Sequence, residues 1–195
     1  VYTLFLGPPE DEVEWNQEAV SGAYRFLNRV WRAAERLSEA PPTGPNDDEL
    51  ERLRHVAIER VTRDMEKFKF NTVVAALMEL MNALGKALLE RSASKLACEH
   101  ALDTLVTLLH PFAPHVTEEI WERRGHPETL LETSWPEYDE EKLTADRVTI
   151  VVQIDGKLRD RLEVAAEAEQ QEGVGAVSSR DRAERHHAGR GVPQT

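Results

Sequence analysis

The stretch QEAVSGAYRFLNRVWRAAERLSE, residues 17–39, decides the fold class of this sequence. Its apolar residues recur every three or four positions, which is the repeat of an amphipathic helix with one face toward a core. Asn16 is placed to cap this helix, and Glu18 lies in its first turn, where a carboxylate interacts favourably with the helix dipole. The apolar positions are Val20, Ala23, Tyr24, Leu27, Val30, Trp31, Ala34 and Leu37.

The same helix carries several arginines on one side, which we call the arginine stripe. At about 100° per residue they fall within an arc of roughly 60°, opposite the apolar residues, and span ~16 Å of helix axis. Like charges one turn apart repel by a few tenths of a kcal/mol per pair, which a polyanion would relieve. Two interpretations stay open: a phosphate-binding surface, and a solvated face neutralised by glutamates from neighbouring helices. The stripe consists of Arg25, Arg29, Arg32 and Arg36.

Further helices are predicted by the same periodicity and by capping signals. Asn46 opens a capping box, Asn71 is the expected cap of the most apolar helix, and Pro114 lies near the start of the last one. Helices joined by such short breaks form a bundle. The sequence therefore predicts a mainly α protein, a bundle of about five helices. The further helices are expected at about 47–68, 72–90, 93–109 and 116–124.

The pattern changes after Gly125. Residues 126–147 read as an irregular connector, and residues 148–154 and 157–164 read as two strands joined by an Asp-Gly hairpin turn. Two strands do not form an independently stable sheet, so this hairpin is expected to begin a truncated α/β domain. Residues 170–195 contain no Leu, Ile, Met or aromatic residue, so we expect a disordered tail.

The returning strand carries a second group of cations. Lys157, Arg159 and Arg161 alternate along it and would share one face. Cations at ~7 Å steps suit a nucleic-acid backbone, and they suit equally an edge strand protected against aggregation. Both interpretations stay open.

Composition narrows the class of protein. The chain has 195 residues, 41% hydrophobic and 31% charged, which suits a globular protein. Its formal net charge of −12 does not exclude a polyanion partner, because attraction to phosphate acts over roughly a Debye length, ~8–10 Å. The single cysteine, Cys98, excludes an internal disulfide and indicates a reducing compartment. We expect no transmembrane segment and no secretory signal, and the missing initiator Met suggests a start upstream.

No self-contained active site is visible. The chain has no P-loop, no dinucleotide-binding glycine motif, no nucleophile elbow and no zinc spacing, so we expect no catalytic residue in it. His110 and His115, together with Glu118 and Glu119, could be taken as a metal site, but their position at a helix break favours a structural role. We therefore expect no metal site and no cofactor.

Several stretches, in their order along the chain, resemble the C-terminal part of the bacterial-type leucyl-tRNA synthetases, which are class I enzymes. The resemblance covers roughly residues 1–169. Individual short motifs recur in the valine, isoleucine and methionine enzymes, but the Trp-Pro connector followed by this hairpin resembles the leucine enzymes most. The stretches are LGPPE (6–10), EW (14–15), GAYRFLNRVW (22–31), FNT (70–72), MNAL (81–84), PFAPH (111–115), EEIW (118–121), SWP (134–136) and VVQIDGKLR (151–159).

This resemblance implies an organisation and a function. Such enzymes activate leucine with ATP and magnesium, attach it to leucine tRNA and edit mischarged tRNA in domains whose signatures are absent here. Their helical anticodon-binding domain grips the tRNA body. The implied organisation is the end of the catalytic-domain connection at 1–14, the tRNA-binding bundle at 15–125, the connector at 126–147, the start of the C-terminal domain at 148–169 and the atypical tail at 170–195.

The resemblance also implies site residues and partners. Arg25 and Arg29 fall in the YRFLNRVW stretch, and Lys157 and Arg159 fall in the GKLR stretch, so these four are expected to contact phosphate. Arg32 and Arg36 would extend the stripe. The implied partners are leucine tRNA and the catalytic and editing domains of the same enzyme, in the cytoplasm, with no membrane and no DNA. The fragment alone would be inactive. Tyr24, Trp31 and Trp121 are expected to pack in the bundle.

Two alternatives to this function stay open. One is a free-standing helical module that binds protein through its acidic surface, and the other is the equivalent bundle of a valyl- or isoleucyl-tRNA synthetase. The sequence departs from the leucine family after about Glu169, where an Arg/Gly/Ala-rich tail replaces the expected apolar helix and strands. We attribute this departure to a shift of reading frame or a misjoined fragment. It puts contacts made by the missing part of the C-terminal domain in doubt.

Overall fold

The computed structural model describes residues 1–5 and 17–144, together with the backbone of two strands at 147–154 and 157–165. The chain divides into two units, Val1–Leu143 and Thr144–Thr195. The helices are α1 (Tyr2–Phe5), α2 (Gln17–Glu39), α3 (Asp47–Glu66), α4 (Phe70–Glu90), α5 (Lys95–Leu109) and α6 (Pro114–Arg123). Three 3-10 turns lie at His110–Phe112, Leu130–Glu132 and Glu140–Leu143.

The first unit is a helical bundle around one apolar core. The five predicted helices are confirmed as α2 to α6, and a short helix, α1, precedes them. The helix α4 is long and apolar enough to span a membrane by length and composition alone, but half of that segment is buried inside the bundle. The apolar residues of α4 form part of the core of the bundle. Its buried residues are Val73, Val74, Ala76, Leu77, Leu80, Met81, Leu84, Ala87 and Leu88.

The buried face of α2 is rotated from the predicted one. Val20, Leu27 and Ala34, expected to lie at the centre of the apolar face, are only half-buried. The buried residues are centred about 120° around the helix from the arginines rather than 180°. The rotation brings one edge of the arginine stripe close to α4. The buried residues are Ala23, Phe26, Val30, Ala33 and Leu37.

The predicted helix caps are only partly confirmed. Asn46 stands at the N-cap position of α3 but makes no side-chain capping bond, whereas Asn71 lies inside α4, which begins at Phe70. A side-chain cap is present at α5, where the hydroxyl of Ser94 accepts a hydrogen bond from the backbone N–H of Ala97 at 3.1 Å. The carboxylate of Asp47 accepts from the backbone N–H of Ser94 at 2.6 Å. A side chain from another segment thus satisfies the start of α5, which local sequence signals do not show.

The C-terminal ends of α2 and α4 are held together. Gly44, in the loop after α2, approaches the backbone after α4 so closely that a Cβ on it would lie 2.1 Å from the carbonyl oxygen of Ser92. The backbone N–H of Gly44 donates to the Ala93 carbonyl at 3.0 Å, and the Arg91 guanidinium donates to the Pro41 carbonyl at 3.2 Å. These contacts fix α2 and α4 side by side in the same direction.

The connector follows the surface of α3. The indole N–H of Trp135 donates to the Thr62 hydroxyl at 2.9 Å, and the backbone N–H of Asp139 donates to Nδ1 of His55 at 2.9 Å. His55 is buried, and burial, with the nearby charge of Arg54, lowers its pKa. A neutral His55 with an unprotonated Nδ1 is the form that this hydrogen bond requires.

The predicted hairpin is present in the second unit. Strands β1 (Arg147–Ile154) and β2 (Lys157–Ala165) pair antiparallel, with a break in register between Val152 and Gln153. Val152 is paired with Asp160 and Gln153 with Leu158, so the pairing passes over Arg159. A one-residue irregularity interrupts the two-residue repeat along a strand. The predicted common face of Lys157, Arg159 and Arg161 depends on an unbroken repeat, and that premise is wrong.

Three predictions fall outside the described residues. These are the N-cap at Asn16, the Asp155-Gly156 turn and the tail at 170–195.

Candidate nucleic-acid interface

The arginine stripe lies on the solvent side of α2. All four of its arginines are exposed, because the helical repeat that buries Ala23, Val30 and Leu37 turns positions 25, 29, 32 and 36 outward. Consecutive members are three or four residues apart, so their guanidiniums follow the helix axis at steps of about 5–6 Å. The bundle thus presents an elongated cationic surface.

Arg29 is oriented by a neighbour on α4. Its Nη2 donates to the amide oxygen Oδ1 of Asn82 at 2.7 Å. Gly85 leaves space beside this contact, since a Cβ built there would lie 3.8 Å from the same Nη2. An amide oxygen carries no net charge, so the contact positions the guanidinium while leaving its positive charge uncompensated.

The stripe is free of carboxylate partners in the part of the chain that the structure describes. Among residues 1–5 and 17–144, no ion pair within 4.0 Å includes Arg25, Arg29, Arg32 or Arg36. The carboxylate of Glu35, which is on the same helix, accepts instead from the indole N–H of Trp31 at 2.8 Å. Neutralisation by neighbouring glutamates, the competing interpretation of the stripe, is therefore not found over these residues.

The aromatic residues beside the stripe differ in burial. Tyr24 is 68% exposed, so its expected packing role is wrong. Trp31 is half-buried under the guanidinium of Arg123, which lies 4.7 Å from the ring centroid. Trp121 is buried as expected, stacks on His126 at 3.5 Å between ring centroids and donates to a backbone carbonyl.

A cavity of about 280 Å³ lies between α2 and α6, beside Trp31. Its two arginines have carboxylate partners, since Arg123 contacts Glu119 at 2.6 Å and Arg124 contacts Asp103 at 2.7 Å. Their charge is compensated within the bundle. The cavity therefore differs from the stripe and is a weaker candidate for binding an anion.

Three of the four side chains considered as metal ligands have protein partners. His110 Nδ1 lies 2.9 Å from the Thr117 hydroxyl, and Glu119 pairs with Arg123. Glu118 accepts from the Thr129 hydroxyl and from the backbone N–H of Leu130. Within the described part of the chain, no group of three or more His, Cys, Asp and Glu residues is arranged to hold a metal ion.

The comparison with known families matches residues 47–174 to the family described as the anticodon-binding domain of tRNA ligase. The chain belongs to this family. Helix α2 lies before the matched range, but similarity to a whole leucine–tRNA ligase covers 98% of the chain and therefore includes α2.

Similarity to whole proteins covers more of the chain than the family match does. The leucine–tRNA ligase of Acaryochloris marina is 39% identical over 98% of this chain, and that of Hydrogenovibrio crunogenus is 37% identical over 98%. The chain spans about a quarter of the length of these relatives, 23% in each case.

Among solved structures, the chain is similar to the LeuRS–tRNA–LeuAMS ternary complex of Agrobacterium radiobacter K84. The TM-score is 0.70 at 27% identity, over 99% of this chain and 26% of that one. The mainly α fold of the anticodon-binding domain agrees with this likeness.

Sequence reasoning missed the contribution of α4 to the stripe. Asn82 and Lys86 are exposed and one turn apart, at the edge of α4 that faces Arg29. A polar pair four residues apart, in a helix that is mostly apolar, is the signal that marks this edge. Gly85 lies between them and, because it has no side chain, leaves space for the Arg29 guanidinium.

The hairpin cations belong to the other unit. Lys157 and Arg159 lie at the start of β2. The backbone register gives their positions along the strand. Their role in binding stays a prediction.

Cys98 is a core residue of the anticodon-binding domain. It is fully buried in α5, and burial raises the pKa of its thiol to about 11. A thiol with such a pKa is protonated at neutral pH and therefore a poor nucleophile.

Proposed function

We propose that this chain is the tRNA-binding portion of a leucine–tRNA ligase. The observation that carries the proposal is the arginine stripe, a row of exposed guanidiniums without carboxylate partners in the described residues. Unpaired surface arginines in a row are an electrostatic footprint for a polyanion. The family match and the leucine–tRNA ligase relatives support leucine tRNA as that polyanion.

The stripe acts by positioning the tRNA. Arg25, Arg29, Arg32 and Arg36 bind phosphates along one side of the tRNA body, and each contact releases condensed counterions. Phosphate contacts fix register and orientation without reading sequence. A tRNA held in this way presents its acceptor end to the catalytic or editing site, and such orientation lowers the entropic cost of the reaction.

The chemistry belongs to parts of the enzyme outside this chain. Leucine activation with ATP and magnesium, transfer to tRNA and editing use those parts, in the cytoplasm, and no DNA or membrane is involved. The chain binds no cofactor and does not form leucyl-adenylate by itself. ATP–pyrophosphate exchange measured on the isolated chain should be absent, and leucine-dependent exchange would contradict this assignment.

The hairpin supplies a second set of phosphate contacts. Lys157 and Arg159 lie at the start of β2. We assign both to the tRNA backbone on the basis of their place in the GKLR stretch, which resembles the leucine enzymes.

Salt-dependent binding tests the proposal. Leucine tRNA is titrated against the 195-residue chain at several salt concentrations. The double variant Arg29→Ala, Arg32→Ala should bind more weakly, with a salt slope lower by about 1.5–2. The matched control is Arg52→Ala, Arg60→Ala, which removes two arginines that are paired with Glu49 and Glu79. Equal losses in both double variants would show that only net charge matters and would overturn the assignment of the stripe.

Competition identifies the tRNA and excludes the other functions. Leucine tRNA should displace itself more efficiently than valine or isoleucine tRNA, and the reverse order would assign the bundle to one of those enzymes. An acidic polypeptide of equal charge should compete poorly. Competition as strong as that of tRNA would favour a protein-binding module instead.

A further inference from the structure

The turn between α3 and α4 exposes an aromatic side chain. Phe68 is 67% exposed, although phenylalanine usually contributes to a core. Its backbone has a φ of 54°, the left-handed region in which glycine or asparagine is the usual residue. Neither burial nor backbone preference explains a phenylalanine at this position. Strained, exposed residues of this kind concentrate at binding sites.

Hydrogen bonds to Asp64 hold the turn between α3 and α4. The carbonyl of Asp64 accepts from the backbone N–H groups of Lys67 at 3.2 Å and Lys69 at 2.9 Å. The carboxylate of Asp64 is buried and accepts from the Thr72 hydroxyl at 2.6 Å. These bonds tie the end of α3 to the start of α4. Phe68 is therefore presented in one fixed backbone conformation.

The ring of Phe68 packs against another aromatic ring. Phe70 meets it edge to face, with ring centroids 5.8 Å apart and planes at 86°. Phe70 in turn contacts Phe112 of the core at 6.0 Å. This chain of rings anchors Phe68 on the bundle and leaves most of its surface open to a ligand.

The surroundings of the ring carry positive charge. Lys67 and Lys69 flank Phe68 and are both exposed, and no ion pair includes either of them within residues 17–144. Glu66 is the one carboxylate between Met65 and Asn71 in the sequence. A cationic side chain on each side of an aromatic ring suits a nucleotide, whose base stacks while its phosphates pair.

The turn lies at a defined place along the arginine stripe. Because α2 and α4 run in the same direction, with Arg29 bound to Asn82, Phe68 lies at the end of the bundle where α2 begins. The fourteen residues from position 68 to position 82 correspond to ~20 Å along the axis of α4. Arg25 is one turn closer to that end than Arg29. A nucleic acid that lies along the stripe can therefore extend to the turn.

We propose that Lys67, Phe68 and Lys69 form a stacking site for an unpaired nucleotide of the RNA ligand. The Phe68 ring receives one face of the base, and the two lysines bind the phosphates on either side of it. The site rests on the proposed function for the identity of the ligand. It adds contact with a base to a surface that otherwise binds only phosphates.

Binding of leucine tRNA to the 195-residue chain tests the site. Phe68→Ala should weaken binding about 5- to 150-fold, since stacking on one aromatic side chain contributes about 1–3 kcal/mol per base. Phe68→Trp should retain the affinity. Leu89→Ala is the matched control, because Leu89 is 69% exposed, on α4, and has no lysine beside it in the sequence. Lys67→Ala, Lys69→Ala should lower the salt slope by about 1.5.

Stability separates a binding role from a packing role. Phe68→Gly removes both the ring and the backbone strain, so we expect weaker tRNA binding with an unfolding temperature within a few degrees of the parent.

If Phe68→Ala binds tRNA as the parent does while Arg29→Ala, Arg32→Ala is weakened, the stacking site is wrong and the proposed function stands. If neither variant is weakened, both proposals fail. A fully base-paired RNA duplex should bind the parent and Phe68→Ala equally, and a loss with the duplex would contradict stacking on an unpaired base.

Discussion

Helices α2 and α3 each carry four arginines, and the two sets have opposite surroundings. In α3 every arginine meets a carboxylate, at N–O distances between 2.7 and 2.9 Å in the closest contacts. In α2 none does among the residues that the structure describes. The same side chain therefore stabilises the bundle in one helix and stays available for a ligand in the other. The α3 pairs are Arg52–Glu49, Arg54–Glu51, Arg60–Glu79 and Arg63–Glu59.

The order of charges along each helix explains the difference. In α3, three of the four arginines follow their glutamates by three or four residues, as Arg52 follows Glu49. The fourth, Arg60, pairs with Glu79 of α4. In α2 the order is reversed, with Glu35 following Arg32 by three residues. A glutamate on the N-terminal side of its cationic partner is the more favourable orientation, because it also agrees with the helix dipole. Charge order thus separates the arginines that are paired within α3 from the unpaired arginines of α2.

Removal of the whole stripe should have the largest effect. Replacing Arg25, Arg29, Arg32 and Arg36 together by glutamine should weaken leucine tRNA binding on the order of 10²–10³-fold at physiological salt, because four phosphate contacts are lost. Filter binding at several salt concentrations measures both the affinity and the slope. The same replacement at Arg52, Arg54, Arg60 and Arg63 keeps the change of net charge equal. Comparable weakening in this second variant would remove the distinction between the two helices.

The most buried pair of α3 should matter for stability rather than binding. Burial alone would raise the pKa of Glu51, but hydrogen bonding and the charge of Arg54 outweigh it and lower that pKa. Glu51→Gln leaves the Arg54 guanidinium partly buried without its carboxylate, so the free energy of unfolding should fall by about 1–3 kcal/mol. Chemical denaturation measures this change. A loss of tRNA affinity without a loss of stability would place Glu51 in the binding surface instead.

A single substitution should make Arg29 resemble the arginines of α3. In Asn82→Asp, a carboxylate replaces the amide oxygen that Arg29 Nη2 contacts at 2.7 Å, so the charge of the guanidinium becomes compensated. Leucine tRNA should bind roughly 5-fold more weakly, with a salt slope lower by about one contact. Asn82→Ala is the control, because it removes the hydrogen bond but adds no charge. Equal weakening in both variants would show that orientation, not charge, is the contribution of Asn82.

The sequence predicted those parts of the molecule that depend on local repeats. The 3.6-residue period specified α2 to α6, and it placed the arginines together on one exposed face. The hairpin followed from alternating residues on either side of an Asp-Gly pair. Each of these features is determined by neighbours within a few positions, so a single sequence contains the information.

Other features depend on contacts between distant segments. Arg29 and Asn82 are 53 positions apart, and no local pattern pairs them. Tyr24 has an apolar ring at a helical spacing, but the rotation of α2 toward α4 leaves it exposed. Asn46 has the side chain of a cap, yet the contact that matters there is made by Asp47 with the backbone of Ser94. Packing decides these positions, and a one-dimensional pattern does not contain it.

The smallest expected effect is the loss of an exposed α3 pair. Arg60 and Glu79 join α3 to α4 at 2.7 Å, with side chains that are 31% and 63% exposed. Solvent-exposed pairs contribute about 0–1 kcal/mol because water screens them and ordering the side chains costs entropy. Arg60→Gln should therefore lower the free energy of unfolding by less than about 1 kcal/mol and leave tRNA affinity within about twofold. Since Glu79 lies one turn before Asn82 on α4, a larger loss of affinity would extend the binding surface from α2 across α4 to α3. The arginines of α3 would then serve both the bundle and the ligand.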